Sequence, residues 1–76
     1  MDITSNQISE KGGLLIAECV GLNNLYLSHN RITVACVRKY LELKELKVLD
    51  LRFNEINAEE KEELRSVKGE QLQMFL

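Results

Sequence analysis

Apolar residues recur along this chain in two alternating rhythms. The run Leu22-x-x-Leu25-x-Leu27 ends on a spacing of two, as a half-buried strand requires, and it returns as Leu46-x-x-Leu49-x-Leu51. Each run closes on an amide followed by an isoleucine, as Asn30-x-Ile32 and Asn54-x-Ile56, so every position of the pattern moves by 24 residues. A further shift of the same size lands on Ile3-x-x-Asn6-x-Ile8, the second half of the motif. The chain thus reads as opening inside a repeat. The register persists beyond the strands. Ser9, Thr33 and Asn57 form a column of residues suited to cap a helix N-terminus, and Glu60 stands where a capping box with Asn57 needs it. Seven residues further on, Ile16, Tyr40 and Leu64 supply one inward apolar position to each of three expected helices. The boundaries that follow are a partial repeat 1–21, repeats 22–45 and 46–69, and a partial terminal strand 70–76.

With these residues the chain resembles the leucine-rich repeat family, and its ribonuclease-inhibitor-like subclass in particular. The segment Asn6-x-Ile8-x-x-x-Gly12-x-x-x-Ile16-x-x-x-Val20 matches the subclass spacing, whereas Cys36 and Glu60 occupy the Gly12 column in the later repeats. The resemblance implies an α/β fold: a short solenoid with a parallel sheet of about three to four short strands on its concave face and helices on its convex face.

A strand-helix unit of this size cannot bury its own apolar face, so the leucines become core only when neighbouring units stack. Leu25, Leu27, Leu49 and Leu51 are expected inside, joined from the turns by Ile8, Ile32 and Ile56. Asn6, Asn30 and Asn54 stand where the chain leaves each strand, and a side-chain amide there can satisfy backbone groups that no sheet ladder reaches. These three read as a structural ladder. The residues between them alternate to the opposite, concave face. They are Asp2 and Thr4, then Asn24, Tyr26 and Ser28, then Val48, Asp50 and Arg52, and, in a terminal strand slipped by one residue, Gln73 and Phe75 with Met74 and Leu76 inward. The middle column would then run Asp2, Tyr26, Asp50, Phe75. Two aromatics and two carboxylates on an open sheet suit recognition of a protein, with the acids selecting a basic partner.

Composition narrows the alternatives. A formal charge of -2 lacks the basic excess expected for nucleic-acid or anionic-membrane partners. The first residues have neither the basic start nor the apolar run of a secretory signal. Cys19 and Cys36 are expected as buried free thiols in a reducing compartment. His29 is the sole histidine and has no evident set of co-ligands for zinc, and no nucleophile, base and orienting group share one place in the pattern. Neither metal, cofactor nor enzymatic activity is expected. The run from Glu59 to Glu63 reads as a solvated helix face whose first turn the helix dipole favours, and Gly12 as a point of close approach between helices.

The leading expectation is therefore a cytoplasmic protein-interaction module that grips a protein partner through its strand face. The resemblance leaves two alternatives. One is regulation of a small GTPase, as in the activating protein for the Ran GTPase. The other is a structural piece of a longer solenoid of the innate-immune or secreted bacterial effector kind, acting in the latter case in a host cytosol. The apolar ends, Met1 to Ile3 and Met74 to Leu76, add an expectation of self-association.

Overall fold

The computed structural model describes residues 1–76. Its elements alternate as α1 (Glu10–Ile16), β1 (Asn24–Tyr26), α2 (Val34–Tyr40), β2 (Val48–Asp50), α3 (Ala58–Val67) and β3 (Gln73–Phe75). The three strands form one parallel sheet in the order β1-β2-β3. Asn24, Leu25 and Tyr26 face Val48, Leu49 and Asp50, an offset of 24, and these in turn face Gln73, Met74 and Phe75, an offset of 25. The slip by one residue in the last strand is real, and it keeps Met74 in the inward column behind Leu25 and Leu49. The amino-terminal segment adds a single parallel bridge between Asp2 and Tyr26. Its amides continue the ladder, with Ile3 N–H donating to Tyr26 O at 2.9 Å and Ser5 N–H to Ser28 O at 2.9 Å.

Parallel strands need a crossover between them, and each helix serves as one. The inward leucines of β1 and β2 and the inward residues of the helices meet in one core. Leu25, Leu27, Ile32, Leu49, Cys36, Val37, Tyr40 and Leu64 have no exposed surface, and Leu51 and Ile56 have almost none. Ile8 and Ile16 are half-buried beside this cluster. Each fully buried Leu contributes about 1.5–3 kcal/mol relative to an exposed one, so the repeated leucines are a principal source of the core's stability.

Tyr40 is the one large polar-tipped side chain in the core. Its hydroxyl donates to the carbonyl of Gly13 at 2.7 Å, and burial pushes its phenol well above the ordinary value of 10.0. The α1–α2 contact that this bond crosses is close because Gly13 has no side chain. A Cβ there would lie 2.7 Å from Cys36 Sγ, 2.8 Å from Ile32 Cδ1 and 3.1 Å from Tyr40 Oη. The close approach assigned to Gly12 belongs to its neighbour: a Cβ on Gly12 meets only the Ile8 side chain just before its own helix.

The cap column holds in position, since Ser9, Thr33 and Asn57 each precede a helix in extended conformation. Only Asn57 caps with its side chain. Asn57 Oδ1 accepts from the Glu60 amide at 2.8 Å and Glu60 Oε1 accepts from the Asn57 amide at 3.0 Å, a complete capping box. Thr33 instead donates its hydroxyl to Glu10 Oε1 at 2.6 Å, exchanging a local cap for a bond between adjacent helices. The two cysteines differ from expectation as well. Cys36 is buried and donates to Glu10 O, but α1 stops at Ile16, so Cys19 falls beyond its end and is exposed, as is Val20 after it.

Candidate functional site

The bridged amino-terminal segment, β1 and β2 are each followed by a left-handed residue that turns the chain inward. Ser5, His29 and Phe53, one per repeat, have φ of 61°, 58° and 62°, and none is glycine. The next residue but one toward the helix is the ladder asparagine's neighbour, and the asparagine itself closes the turn. Asn30 is 7% exposed. Its Oδ1 accepts from the amides of Asn6 at 3.0 Å and Ile8 at 2.8 Å, and its Nδ2 donates to Ile3 O at 2.8 Å and Leu27 O at 3.0 Å. Asn54 repeats the arrangement one turn on, accepting from Ile32 N–H at 2.7 Å and donating to Leu27 O and Leu51 O. The exposed Asn6 donates only to Thr4 O. Asn30 and Asn54 therefore form the ladder, each binding the preceding repeat, while the Asn6 side chain bonds only within its own segment.

With its turns tied together in this way, the sheet presents its outward columns as a fixed surface. Asn24, Val48 and Gln73 form one row, and Tyr26, Asp50 and Phe75 the next, with Asp2 bridged to Tyr26 on the far side. Asn24 and Gln73 are exposed, Tyr26 and Val48 half-buried, and Phe75 is 45% exposed. Ser28 and Asp50 are not available in the same sense, since both belong to the buried set.

Asp50 has spent its carboxylate within the chain. Oδ1 accepts from Arg52 Nε at 3.0 Å and from the Arg52 amide at 3.2 Å, while Oδ2 accepts from Arg52 Nη2 at 2.9 Å. The hydrogen bonds from Arg52 hold the Asp50 carboxyl below its ordinary value of 3.8, and Asp50 in turn raises the Arg52 guanidinium. Arg52 remains open to solvent, with 57% of its side chain exposed against 10% for Asp50, and its guanidinium carbon lies 5.6 Å from the centre of the Phe75 ring. Beside it, the His29 and Phe53 rings stack at 4.4 Å with 16° between their planes. Phe53 is 70% exposed. The other carboxylate of the middle column, Asp2, accepts from the Thr4 hydroxyl at 2.7 Å, and this bond lowers its pKa from 3.8. Asp50 is thus bonded within the chain, Asp2 engages Thr4 through Oδ1 alone and stays exposed, and the outward charge nearest the centre of the column is that of Arg52.

Sequence reasoning located the outward columns and missed their pairing. Asp50 ends β2 and Arg52 stands two residues on in the turn, a spacing at which opposite charges can meet, so the signal was present. The aromatic stack was not singled out because His29 and Phe53 lie in a turn rather than in a strand.

No group of three histidine, cysteine or acidic side chains is arranged to hold a metal ion, and no helix is long and apolar enough to cross a membrane. Of the remaining ion pairs, Arg31 with Glu55 and Arg38 with Glu63 are exposed links between adjacent repeats, Lys39 with Glu42 and Arg65 with Glu62 are exposed pairs within one repeat, and each contributes little individually.

A leucine-rich repeat family model matches residues 43–59. That segment runs from Leu43 through β2 and Asn54 into the first turn of α3, the part of the chain where strand, ladder amide and capped helix follow one another most regularly. The match and the strand-helix alternation together support a leucine-rich repeat fold. No curated protein and no solved structure matches the chain.

Proposed function

We propose that this chain is a protein-protein interaction module that binds a protein partner through the open face of its sheet. The observation that carries this reading is the outward row Tyr26, Asp50 and Phe75, with Arg52 beside it: large aromatic surface and one fixed charge on a hydrogen-bonded parallel sheet. Aromatic and arginine side chains on rigid elements are the groups that contribute most to protein association. The α-helix in every strand-to-strand connection further supports assignment to the ribonuclease-inhibitor-like subclass. Two unpaired thiols fit a cytoplasmic location.

Affinity capture followed by quantitative mass spectrometry, run with the wild-type chain and with Tyr26→Ala combined with Phe75→Ala, tests the reading. Partners retained by the wild type are expected to fall away from the double variant while its circular dichroism is unchanged. Equal retention by both would exclude the sheet face as the binding surface.

A further inference from the structure

The paired Asp50 and Arg52 reverse the charge preference that the sequence suggests for this face. Both Asp50 oxygens are occupied by one residue, and the carboxylate is nearly covered, so a basic partner would have to displace Arg52 to reach it. Arg52 is used on one edge only. Its Nε and one N–H of Nη2 engage Asp50, and no acceptor in the chain meets Nη1. The end of the guanidinium, formed by Nη1 and the second N–H of Nη2, therefore remains a free donor fork of the kind that receives a carboxylate with two parallel hydrogen bonds.

This fork is held in place before any partner arrives. Asp50 grips the side chain, Phe75 supports it from the flank, and its backbone carbonyl accepts from His29 N–H at 3.0 Å and Asn54 Nδ2 at 3.3 Å. An arginine so restrained loses little further freedom on binding. The exposed Phe75 ring lies against its guanidinium, and the stacked His29 and Phe53 rings follow in the adjoining turn. Asp2 lies across the sheet beyond the Tyr26 strand.

Resting on the sheet-face reading above, we propose that the partner segment is acidic: an extended stretch of protein that places an Asp or Glu carboxylate on the free end of Arg52, with an apolar residue beside it on Phe75 or Phe53.

A random-peptide library displayed on phage, selected on the immobilised full chain, supplies the probe, and the recovered peptides are then titrated by calorimetry. Acid-bearing peptides are expected, with affinity lowered on the order of tenfold when their Asp or Glu is changed to the amide. The same loss is expected from the chain carrying Asp50→Asn with Arg52→Gln, and the two losses should not add. The peptide substitution leaves the chain untouched, so the result does not depend on the folding of a variant. Peptides that need Tyr26 and Phe75 but keep their affinity without an acid, or that require Lys or Arg, would overturn the acidic partner and leave the sheet-face reading standing. Peptides indifferent to Tyr26→Ala and Phe75→Ala, or recovery of none, would overturn both.

Discussion

His29 stacks on Phe53 at a ring separation of 4.4 Å because both residues leave their strands through the same left-handed turn, with φ of 58° and 62°. The parallel backbones bring equivalent positions of adjacent repeats side by side, and closely similar φ values let their rings stack with 16° between their planes. Left-handed backbone costs a non-glycine residue about 1–2 kcal/mol, which the surrounding ladder must offset at every turn.

A β-branched residue in this column should therefore be costly. Phe53→Val is expected to lower unfolding stability by about 1–2 kcal/mol, measured by urea titration. Phe53→Asn, which accepts this backbone region, should lose less. Equal losses would mean that ring stacking, and not the backbone, sets the requirement.

The asparagine ladder should show a gradient that follows its bonding. Asn30→Ala strands the Asn6 and Ile8 amides and is expected to cost about 2–4 kcal/mol. Asn6→Ala removes one exposed bond to Thr4 O and should cost under about 0.5 kcal/mol. Chemical denaturation of the two variants gives the comparison, and similar losses would contradict the assigned geometry.

Gly13 and Gly12 should separate as sharply. Gly13→Ala drives a methyl group into Cys36, Ile32 and Tyr40 and is expected to destabilise by about 1–3 kcal/mol, partly relieved by Cys36→Ala in the same chain. Gly12→Ala makes one tight contact, 3.1 Å from Ile8 Cγ2, and gains helix propensity, so it should destabilise clearly less than Gly13→Ala, as compared by melting temperature.

Acid sensitivity should trace to Asp50. Its native pKa lies below the ordinary 3.8 through the hydrogen bonds from Arg52, so the stability it contributes is fully present above that value. That contribution is lost as pH falls through the lowered native value. Arg52→Gln is expected to flatten the dependence of stability on pH below about 4. An unchanged acid limb in the variant, followed by circular dichroism, would assign the acid transition to other carboxylates.

The strands, the helix starts and the inward columns were legible in the sequence because each depends on spacing alone. Leu25, Leu49 and Met74 align through backbone pairing, and even the one-residue slip before β3 showed in the alternation of Gln73 to Leu76. What spacing does not carry is competition between side chains. Thr33 had the chemistry of a cap and found Glu10 instead, and Asp50 had the position of a recognition acid and found Arg52. Cys19 was misplaced for a third reason: α1 ends after seven residues, too early to hold it against the core. The turn residues Ser5, His29 and Phe53 gave no warning, since nothing in their identities marks a left-handed backbone.

The bonds of Asn30 and Asn54 have a kinetic consequence. Each amide is covalently part of one repeat and completes the backbone of the repeat before it. A single turn therefore closes with unpaired groups that only its successor can fill, and the smallest nucleus able to persist is two turns joined by one asparagine. Growth from such a nucleus adds a whole turn at a time, so the folding of this chain should resemble the zipping of a one-dimensional lattice more than the collapse of a globule.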